Sequence, residues 1–187
     1  MKETEMVLQG QTITLRLIRP DDTERYYQAG FEHEDAEVMR LTGTKHSATR
    51  EEIVNYVNRI VHDESRYDFL ILDANGEILG ESVLNDIDPD TRCAGFRIAL
   101  FQSANCGRGI GTEALRLTLQ FGFERLHLHR IELEVFSFNA RAYRAYRKAG
   151  FVEEGRRRDA ELIGGEYCDV ILMGILESEY FGNAQGF

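Results

Sequence analysis

Apolar residues recur at every second position in several stretches of this chain, which is the period of a half-buried β-strand. The clearest case is the segment 131–135, which reads Ile-Glu-Leu-Glu-Val. Strand patterns, either alternating or continuously apolar, occur in 12–18, 67–73, 78–87, 92–101, 131–138, 151–160 and 166–176. Turn signals separate the second, third and fourth of these segments, so we predict that these three strands form an antiparallel meander.

Helical periodicity, with apolar residues three and four positions apart, predicts helices over 20–30, 49–61, 110–121 and 139–150. Pro20 suits the first position of the first helix. Thr49 and Glu52 have the spacing of a capping box at the start of the second. Asn139 can cap the last. The segment 31–48 shows no clear period.

The resulting order is strand, two helices, three strands, helix, strand, helix and two strands. Helices interspersed with strands in a chain of 187 residues favour one α/β domain built on a mixed sheet. We predict that this domain covers 12–176, after a lead-in of 1–11 and before a tail of 177–187.

The chain is acidic, with 22 Lys and Arg against 32 Asp and Glu and a net charge of −10. Nucleic acid is therefore not an expected partner, because phosphate contacts need a basic face. An acidic surface attracts a cationic substrate, such as a polyamine or a basic protein terminus, although acidity also serves solubility alone.

No apolar run approaches the roughly 20 residues that span a membrane, so no membrane association is expected. The acidic N-terminus lacks the apolar core of a secretory signal. The three cysteines, Cys93, Cys106 and Cys168, are widely spaced and odd in number, which argues against a disulfide framework and predicts a cytoplasmic protein. The histidines show no metal-ligand spacing, so we expect no metal site.

A glycine-rich turn, Cys106-Gly107-Arg108-Gly109-Ile110-Gly111-Thr112, leads directly into the third predicted helix. Backbone N–H groups at a helix N-terminus, aided by the helix dipole, suit a phosphate group. Position 112 is not glycine, so the dinucleotide fingerprint fails, and the Gly-Lys-Ser/Thr of a P-loop is missing. We therefore expect this turn to hold the pyrophosphate of a coenzyme.

Two further motifs follow the glycine turn along the chain. One is Asn139, Ala142, Tyr146, Gly150 and Phe151, and the other is the run 165–169 before an apolar strand with Met173. In this order the three motifs resemble the GNAT superfamily of acetyl-CoA-dependent N-acetyltransferases, especially its spermidine and ribosomal-protein N-terminal types. The resemblance implies a GNAT-like fold with a mixed, mostly antiparallel sheet of about seven strands flanked by helices.

The resemblance also implies that an amine attacks the thioester of acetyl-CoA directly, in a ternary complex. The coenzyme-binding backbone is then that of Cys106, Gly107, Arg108, Gly109, Ile110, Gly111 and Thr112. Backbone N–H groups around Ala99, Leu100 and Phe101 are implied to polarise the acetyl carbonyl. Tyr146 is implied to protonate the leaving thiolate, and Asn139 to cap its helix and contact the pantetheine arm.

The group that takes the amine's proton stays open. Many relatives carry a glutamate on the strand before the glycine turn, but no carboxylate occurs here between Asp90 and Glu113. Glu81, Asp86 and Asp88 are the nearest substitutes, and an amine that arrives neutral needs no base.

The acceptor pocket is implied to be lined by the first two helices, their loop and the last hairpin, which offer Tyr26, Tyr27, Glu32, Glu34, Asp35, Glu37, Tyr167 and Asp169. Clustered acids there suit a primary amine, either a polyamine-like small molecule or a protein N-terminus. The alternatives are O-acetylation, a longer acyl group, a covalent role for Cys106, and a non-catalytic acyl-CoA-binding regulatory module. The resemblance allows a homodimer, since many relatives are dimers.

Overall fold

The computed structural model describes residues 6–183, so parts of the predicted lead-in and tail lie outside the described residues. The strands are β1 (Val7–Gln9), β2 (Thr14–Leu17), β3 (Tyr67–Leu72), β4 (Ile78–Asp88), β5 (Cys93–Leu100), β6 (Arg130–Phe136), β7 (Val152–Ile163) and β8 (Glu166–Leu176). The α-helices are α1 (Thr23–Gly30), α2 (Ala36–Thr42), α3 (Arg50–Ile60), α4 (Ile110–Gln120), α5 (Ala140–Lys148) and α6 (Glu177–Asn183). Short 3-10 turns lie at Pro20–Asp22 and Ser103–Asn105, and a π-helical stretch at Phe121–Arg125.

The strands form one mixed sheet in the order β1-β2-β3-β4-β5-β6-β8-β7. β5 pairs with β6 in parallel, whereas β1–β2, β2–β3, β3–β4, β6–β8 and β7–β8 are antiparallel. The predicted mixed, mostly antiparallel sheet is therefore confirmed, with β1 as a strand that the pattern did not predict. The pairing of β5 with β6 runs from Cys93 to Gly95, whereas β5 itself continues to Leu100.

The polypeptide divides into two compact units. The first contains the chain up to Asn85 together with Arg97–Thr118, and the second contains Asp86–Phe96 and the chain from Leu119 onward. Both β4 and β5 therefore contribute residues to each unit.

Helix α3 supplies the centre of the first unit's core, because a capping box fixes where the helix starts. The Thr49 hydroxyl accepts the N–H of Glu52, whose carboxylate accepts the N–H of Thr49 at 2.8 Å, as predicted. From that start, Ile53, Val57 and Ile60 fall on one face and are at most 4% exposed. The same core holds Ile18, Tyr26, Leu70, Leu72, Ile78 and Phe101. Burial of each aliphatic side chain contributes about 1.5–3 kcal/mol, so this face anchors α3.

In the second unit, β6 shows the predicted alternation. Ile131, Leu133 and Val135 are buried, and the two glutamates between them are exposed. Helix α5 follows and begins at the predicted cap, where Asn139 Oδ1 accepts the N–H of Ala142 at 3.1 Å. The cap fixes the phase of the helix, and this phase buries Tyr146.

Three short elements, β1, α2 and α6, are missing from the sequence prediction. Helix α2 shows why, since none of its residues is buried and it has no apolar period to detect. Its ends define it instead. Asp35 accepts the N–H groups of Glu37 at 2.9 Å and Val38 at 3.2 Å, and Gly43 ends the helix with a φ of 70°.

Candidate active site

The glycine turn is built by backbone conformation rather than by close packing. Gly107 and Gly109 have φ values of 75° and 87°, in the left-handed region that residues with a Cβ adopt only with strain. A Cβ on either glycine would meet no atom within 4 Å, so the turn needs glycine for its dihedral angles and not for space. Helix α4 then begins at Ile110.

The turn presents a row of backbone N–H groups that the protein itself does not bind. The N–H of Cys106 donates to the Ser103 carbonyl at 3.0 Å, so this group is already used. The N–H groups from Gly107 to Thr112 have no acceptor within the described part of the chain. With the dipole of α4 behind them, they suit an anionic group such as a phosphate. Of the predicted contact residues, Cys106 has an N–H that is already used, and the coenzyme contact of Gly107–Thr112 stays a prediction.

The end of β5 offers a second set of backbone N–H groups. That of Phe101 donates to the Leu79 carbonyl at 2.9 Å, so it is not available to an acetyl carbonyl. A short turn joins the neighbouring strands β4 and β5, which requires them to be antiparallel. N–H groups alternate in direction along such a strand, so that of Ala99 points toward β4 and that of Leu100 points away. Of the three predicted polarising residues, Leu100 has the N–H that is free of this pairing.

Tyr146, on α5 in the second unit, has a buried ring and an unbonded hydroxyl. Its ring packs against Phe96 and Phe151, with centroids 6.3 Å and 5.9 Å away. Every fully buried side-chain polar atom among residues 6–183 has a partner, whereas the Tyr146 hydroxyl has none there, so this hydroxyl reaches the protein surface. Burial raises the pKa of Tyr146 to about 12, so the phenol is protonated at neutral pH and can act as an acid.

Two other residues at the start of α5 are already engaged. The Tyr143 hydroxyl donates to Glu153 at 2.9 Å, and this hydrogen bond raises the pKa of Tyr143. Asn139 uses its side-chain oxygen for the cap, which leaves its NH₂ group for another contact. Tyr143 is the residue most easily confused with Tyr146. The two differ in their hydroxyls, because only that of Tyr143 has a partner among the described residues.

A cavity of about 490 Å³ lies in the first unit. This volume falls within the range of about 300–1,000 Å³ that is typical of small-molecule sites. On the β5 side it is lined by Arg97, Ala99 and Phe101, because alternate residues of a strand share one face. Its other charged lining residues are Glu34, Asp35, Glu52, Arg66 and Glu81, and its apolar ones include Phe31, Val38, Met39 and Ile53.

A hydrogen-bonded polar group lines one wall of this cavity. Glu81 accepts a hydrogen bond from the Tyr26 hydroxyl at 2.6 Å and pairs with Arg97 at 2.9 Å. Arg97 also donates to the Tyr56 hydroxyl at 2.6 Å. Burial and the charge of Glu81 raise the pKa of Tyr26 well above its ordinary value, so its hydroxyl stays protonated and donates.

Arg66 and Asp68 complete this group and make it neutral as a whole. Arg66 binds both oxygens of Asp68 at 2.7 Å, and Arg97 lies 3.8 Å from the same carboxylate. The side chains of Asp68 and Glu81 are only 4% and 8% exposed, whereas that of Arg97 is 47% exposed. The two carboxylates are therefore less accessible than the side chain of Arg97.

Residues 12–152 match the family model of the acetyltransferase (GNAT) domain. The chain belongs to the GNAT acetyltransferase family. Its reaction is accordingly the transfer of an acetyl group from acetyl-CoA to an amine, and acetyl-CoA is its co-substrate. The relatives give no support to a non-catalytic regulatory module.

Named relatives of this GNAT chain act on spermidine. Spermidine N(1)-acetyltransferase of Vibrio cholerae serotype O1 is 32% identical over 135 residues, 72% of this chain and 78% of that protein. The Escherichia coli K12 protein of the same name is 29% identical over 171 residues, 91% of this chain and 89% of its own. The crystal structure of spermidine N-acetyltransferase from V. cholerae in complex with CoA and spermine matches with a TM-score of 0.82 at 28% identity, covering 91% of this chain and 98% of that one. The predicted resemblance is confirmed.

The cavity of this GNAT chain takes in three of the residues predicted to line the acceptor pocket, namely Tyr26, Glu34 and Asp35. Tyr27 and Glu32 are not in its wall, and Glu37 pairs with Arg40 at 3.0 Å on the surface. Tyr167 and Asp169 belong to the second unit.

Only one of the three substitute bases faces the cavity. Asp86 and Asp88 are exposed, and Asp88 accepts hydrogen bonds from Asp90 and Thr91 within its own turn. Glu81 lines the cavity, but its two oxygens already bind Tyr26 and Arg97. No carboxylate in this set is therefore poised with a free oxygen to take a proton.

Arg97 is one of the cavity residues that the sequence reasoning missed. A signal was available, because Arg97 lies two positions before Ala99 on the same strand and must share its face. Val38 and Met39 gave no comparable signal, since α2 has no apolar period.

None of the described helices is long and apolar enough to cross a membrane. In the same part of the chain, no cluster of three or more His, Cys, Asp or Glu residues is arranged to hold a metal ion.

Proposed function

We propose that this chain acetylates the primary amine of a small molecule that binds in the cavity of the first unit. The observation that carries the proposal is the position of Ala99, which lines the cavity next to Leu100, whose N–H is free of β4. An acetyl carbonyl bound to that N–H would face a cavity of small-molecule size. The acceptor therefore reaches the thioester from the cavity.

Each group of the site then has one task. The N–H groups of Gly107–Thr112 bind the pyrophosphate, and that of Leu100 polarises the carbonyl. The amine nitrogen bonds to the carbonyl carbon, the C–S bond breaks, and the departing thiolate takes the proton of Tyr146. The apolar surroundings that raise the pKa of Tyr146 also disfavour a thiolate beside it, which keeps this proton transfer feasible.

Polyamines are the first acceptors to test, because the relatives named above act on spermidine. In addition, Glu34 and Glu52 line the cavity without a cationic partner among the described residues. A protein N-terminus and a homodimer stay predictions, and a short peptide with a free amine belongs in the same assay.

Replacing Tyr146 with phenylalanine tests the chemical half of the proposal. We expect kcat for thiol release from acetyl-CoA to fall about 100- to 10,000-fold, because the thiolate loses its proton donor. Acetyl-CoA affinity should stay within about twofold, since the ring packing is kept. The assay runs over a panel of amines, and calorimetry measures coenzyme binding.

Tyr143→Phe is the matched control, because it removes a hydroxyl from the same helix that is bonded to Glu153. This variant should keep most of the wild-type kcat. Full activity in Tyr146→Phe would show that the tyrosine is not the acid. A wild-type protein that neither binds acetyl-CoA nor releases thiol with any amine would overturn the whole proposal.

A further inference from the structure

Arg97 presents a cation to a cavity that is proposed to receive an amine. We propose that Arg97 binds a carboxylate of the acceptor, so that the preferred substrates are amines that also carry a carboxylate, rather than polyamines. This inference rests on the proposed function and narrows its acceptor class.

The exposure of the charged groups on this wall carries the first step. Arg97 is 47% exposed, whereas its partners Glu81 and Asp68 are 8% and 4% exposed. A molecule in the cavity therefore meets the guanidinium before it meets either carboxylate. The four charges of this wall sum to zero, but the more exposed guanidinium offers an anion a closer contact than the two buried carboxylates offer a cation.

The guanidinium is also held ready to bind. Contacts with Glu81 at 2.9 Å and with the Tyr56 hydroxyl at 2.6 Å fix its position. Arginine has more N–H donors than these two contacts use, and its planar fork matches a carboxylate. Because its geometry is set beforehand, little side-chain entropy is lost when an acceptor binds.

The acids on the cavity wall have structural roles of their own. Asp35 accepts the N–H of Ser103 at 2.7 Å and caps α2. Glu52 completes the capping box with Thr49, and Glu34 accepts the Ser47 hydroxyl. These carboxylates are thus accounted for without a polycationic ligand. Arg97 also pairs with Glu81, but its side chain stays 47% exposed and has N–H donors beyond that contact.

Arg97 and Ala99 are alternate residues on one face of β5, so their Cα atoms lie about 7 Å apart along the strand. The Arg97 guanidinium extends from that position to Glu81, and all three residues line the cavity. A small amine with a carboxylate at its far end therefore suits the test. γ-Aminobutyrate has this form, while putrescine and butylamine share its carbon chain length with an ammonium or a methyl group at the far end.

These three compounds form the test. We expect the wild type to use γ-aminobutyrate with a kcat/KM about tenfold or more above that for putrescine, the effect of one charge-assisted contact. Arg97→Gln should abolish this preference, with kcat/KM for both compounds expressed relative to that for butylamine in the same variant. Arg97→Lys, which keeps the charge without the fork, should restore part of the preference.

Glu81→Gln is the matched control, because it removes the charge that faces Arg97 but keeps an oxygen that accepts a hydrogen bond from the guanidinium. It should retain the preference for γ-aminobutyrate. Since Arg97→Gln leaves Glu81 buried without its cation, the double variant Arg97→Gln/Glu81→Gln repeats the measurement in a neutral wall and should also show no preference.

A wild type that prefers putrescine, or an Arg97→Gln variant with an unchanged preference, would overturn the inference. Loss of the preference in Glu81→Gln alone would overturn it as well, because the carboxylate and not the guanidinium would then select the acceptor. In each case thiol release with some amine shows that the proposed function still stands. Failure of the proposed function would instead appear as no binding of acetyl-CoA and no release with any amine of the panel.

Discussion

Backbone and side-chain groups of the candidate site differ in whether the protein already binds them. The N–H groups of Gly107–Thr112 and the hydroxyl of Tyr146 lack partners among the described residues, whereas Glu81 and Tyr143 are fully engaged. Polar groups that reach the surface without a protein partner bind water or a ligand. We therefore expect ligand contacts at the unbonded groups, while the bonded ones support the structure around them.

Two glycines of the turn, Gly109 and Gly111, should respond to alanine substitution with opposite changes in the free energy of unfolding. Gly109→Ala places a Cβ at a φ of 87° and should lower the free energy of unfolding by about 1–2 kcal/mol. Gly111 lies in the first turn of α4 without a positive φ, and a Cβ there would meet only Leu100 at 3.9 Å. Gly111→Ala should therefore raise stability by about 0.5–1 kcal/mol, because alanine favours a helix. Urea unfolding without coenzyme measures both.

Equal destabilisation by the two substitutions would contradict this reading of the turn. Calorimetry with acetyl-CoA extends the comparison, since Gly109→Ala should also weaken coenzyme binding by distorting the row of N–H groups.

At this scale, the sequence predicts residues whose role depends on close neighbours in the chain. Asn139 and Tyr146 are separated by a fixed helical distance, and the glycine turn is contiguous, so spacing alone identifies them. Arg97 depends on Glu81, Tyr56 and Asp68, which come from three other segments of the chain. Strand alternation shows that Arg97 shares a face with Ala99, but not which residues pair with it, because those contacts exist only after the strands have paired.

At the scale of elements, α2 depends on other parts of the chain more than the helices around it do. It buries no residue of its own, and a single carboxylate, Asp35, both caps it and binds the N–H of Ser103 beyond β5. Hydrogen bonds from Ser103 lower the pKa of Asp35 to about 2. One side chain thus attaches this part of the cavity wall to the strand that faces it.

This pKa predicts a dependence of stability on pH. The folded-state pKa of Asp35 lies below the ordinary value of 3.8, so its stabilising effect is fully present above about pH 4 and is lost as the pH falls toward about 2. Asp35→Asn keeps a capping oxygen but no charge. We expect the wild type to be more stable than Asp35→Asn at about pH 6, and the difference to shrink steadily below about pH 4.

Urea unfolding of both proteins at several pH values measures this difference. The other carboxylates titrate in both proteins, so their contributions to the difference cancel. A difference that stays constant down to about pH 3 would show that Asp35 is not the ionised cap described above.

The predicted elements share two properties, a clear period and a cap or turn signal at their ends. Helix α3 has both, and its start at the Thr49 capping box is found where the sequence places it. β1, α2 and α6 are too short to show a period, and β1 is defined by its pairing with β2 rather than by its own residues. Such elements are set by tertiary contacts, which a single sequence does not display.

At the scale of the whole molecule, the coenzyme should act as a stabilising ligand. A ligand at a hundred times its Kd adds about 2.7 kcal/mol to the free energy of unfolding. For a chain of 187 residues this corresponds to a rise in Tm of about 5–10 °C. Thermal unfolding followed over a series of acetyl-CoA concentrations measures the shift.

A short acetyl thioester without the pyrophosphate is the control ligand, and at the same concentration it should give little or no shift. Equal shifts from the two ligands would show that the glycine turn does not supply the main contact. No shift from acetyl-CoA at any concentration would contradict the coenzyme assignment.

The lack of buried residues in α2 has a consequence for how this enzyme changes over time. Substitutions on this helix remove little from the core, so mutation can explore its cavity-facing positions, Val38 and Met39, without unfolding the protein. The glycine turn has no such freedom, because Gly107 and Gly109 adopt φ values that other residues reach only with strain. Directed evolution toward a new amine should therefore begin with a library on α2, which lets the acceptor range diverge while the acetyl chemistry is conserved.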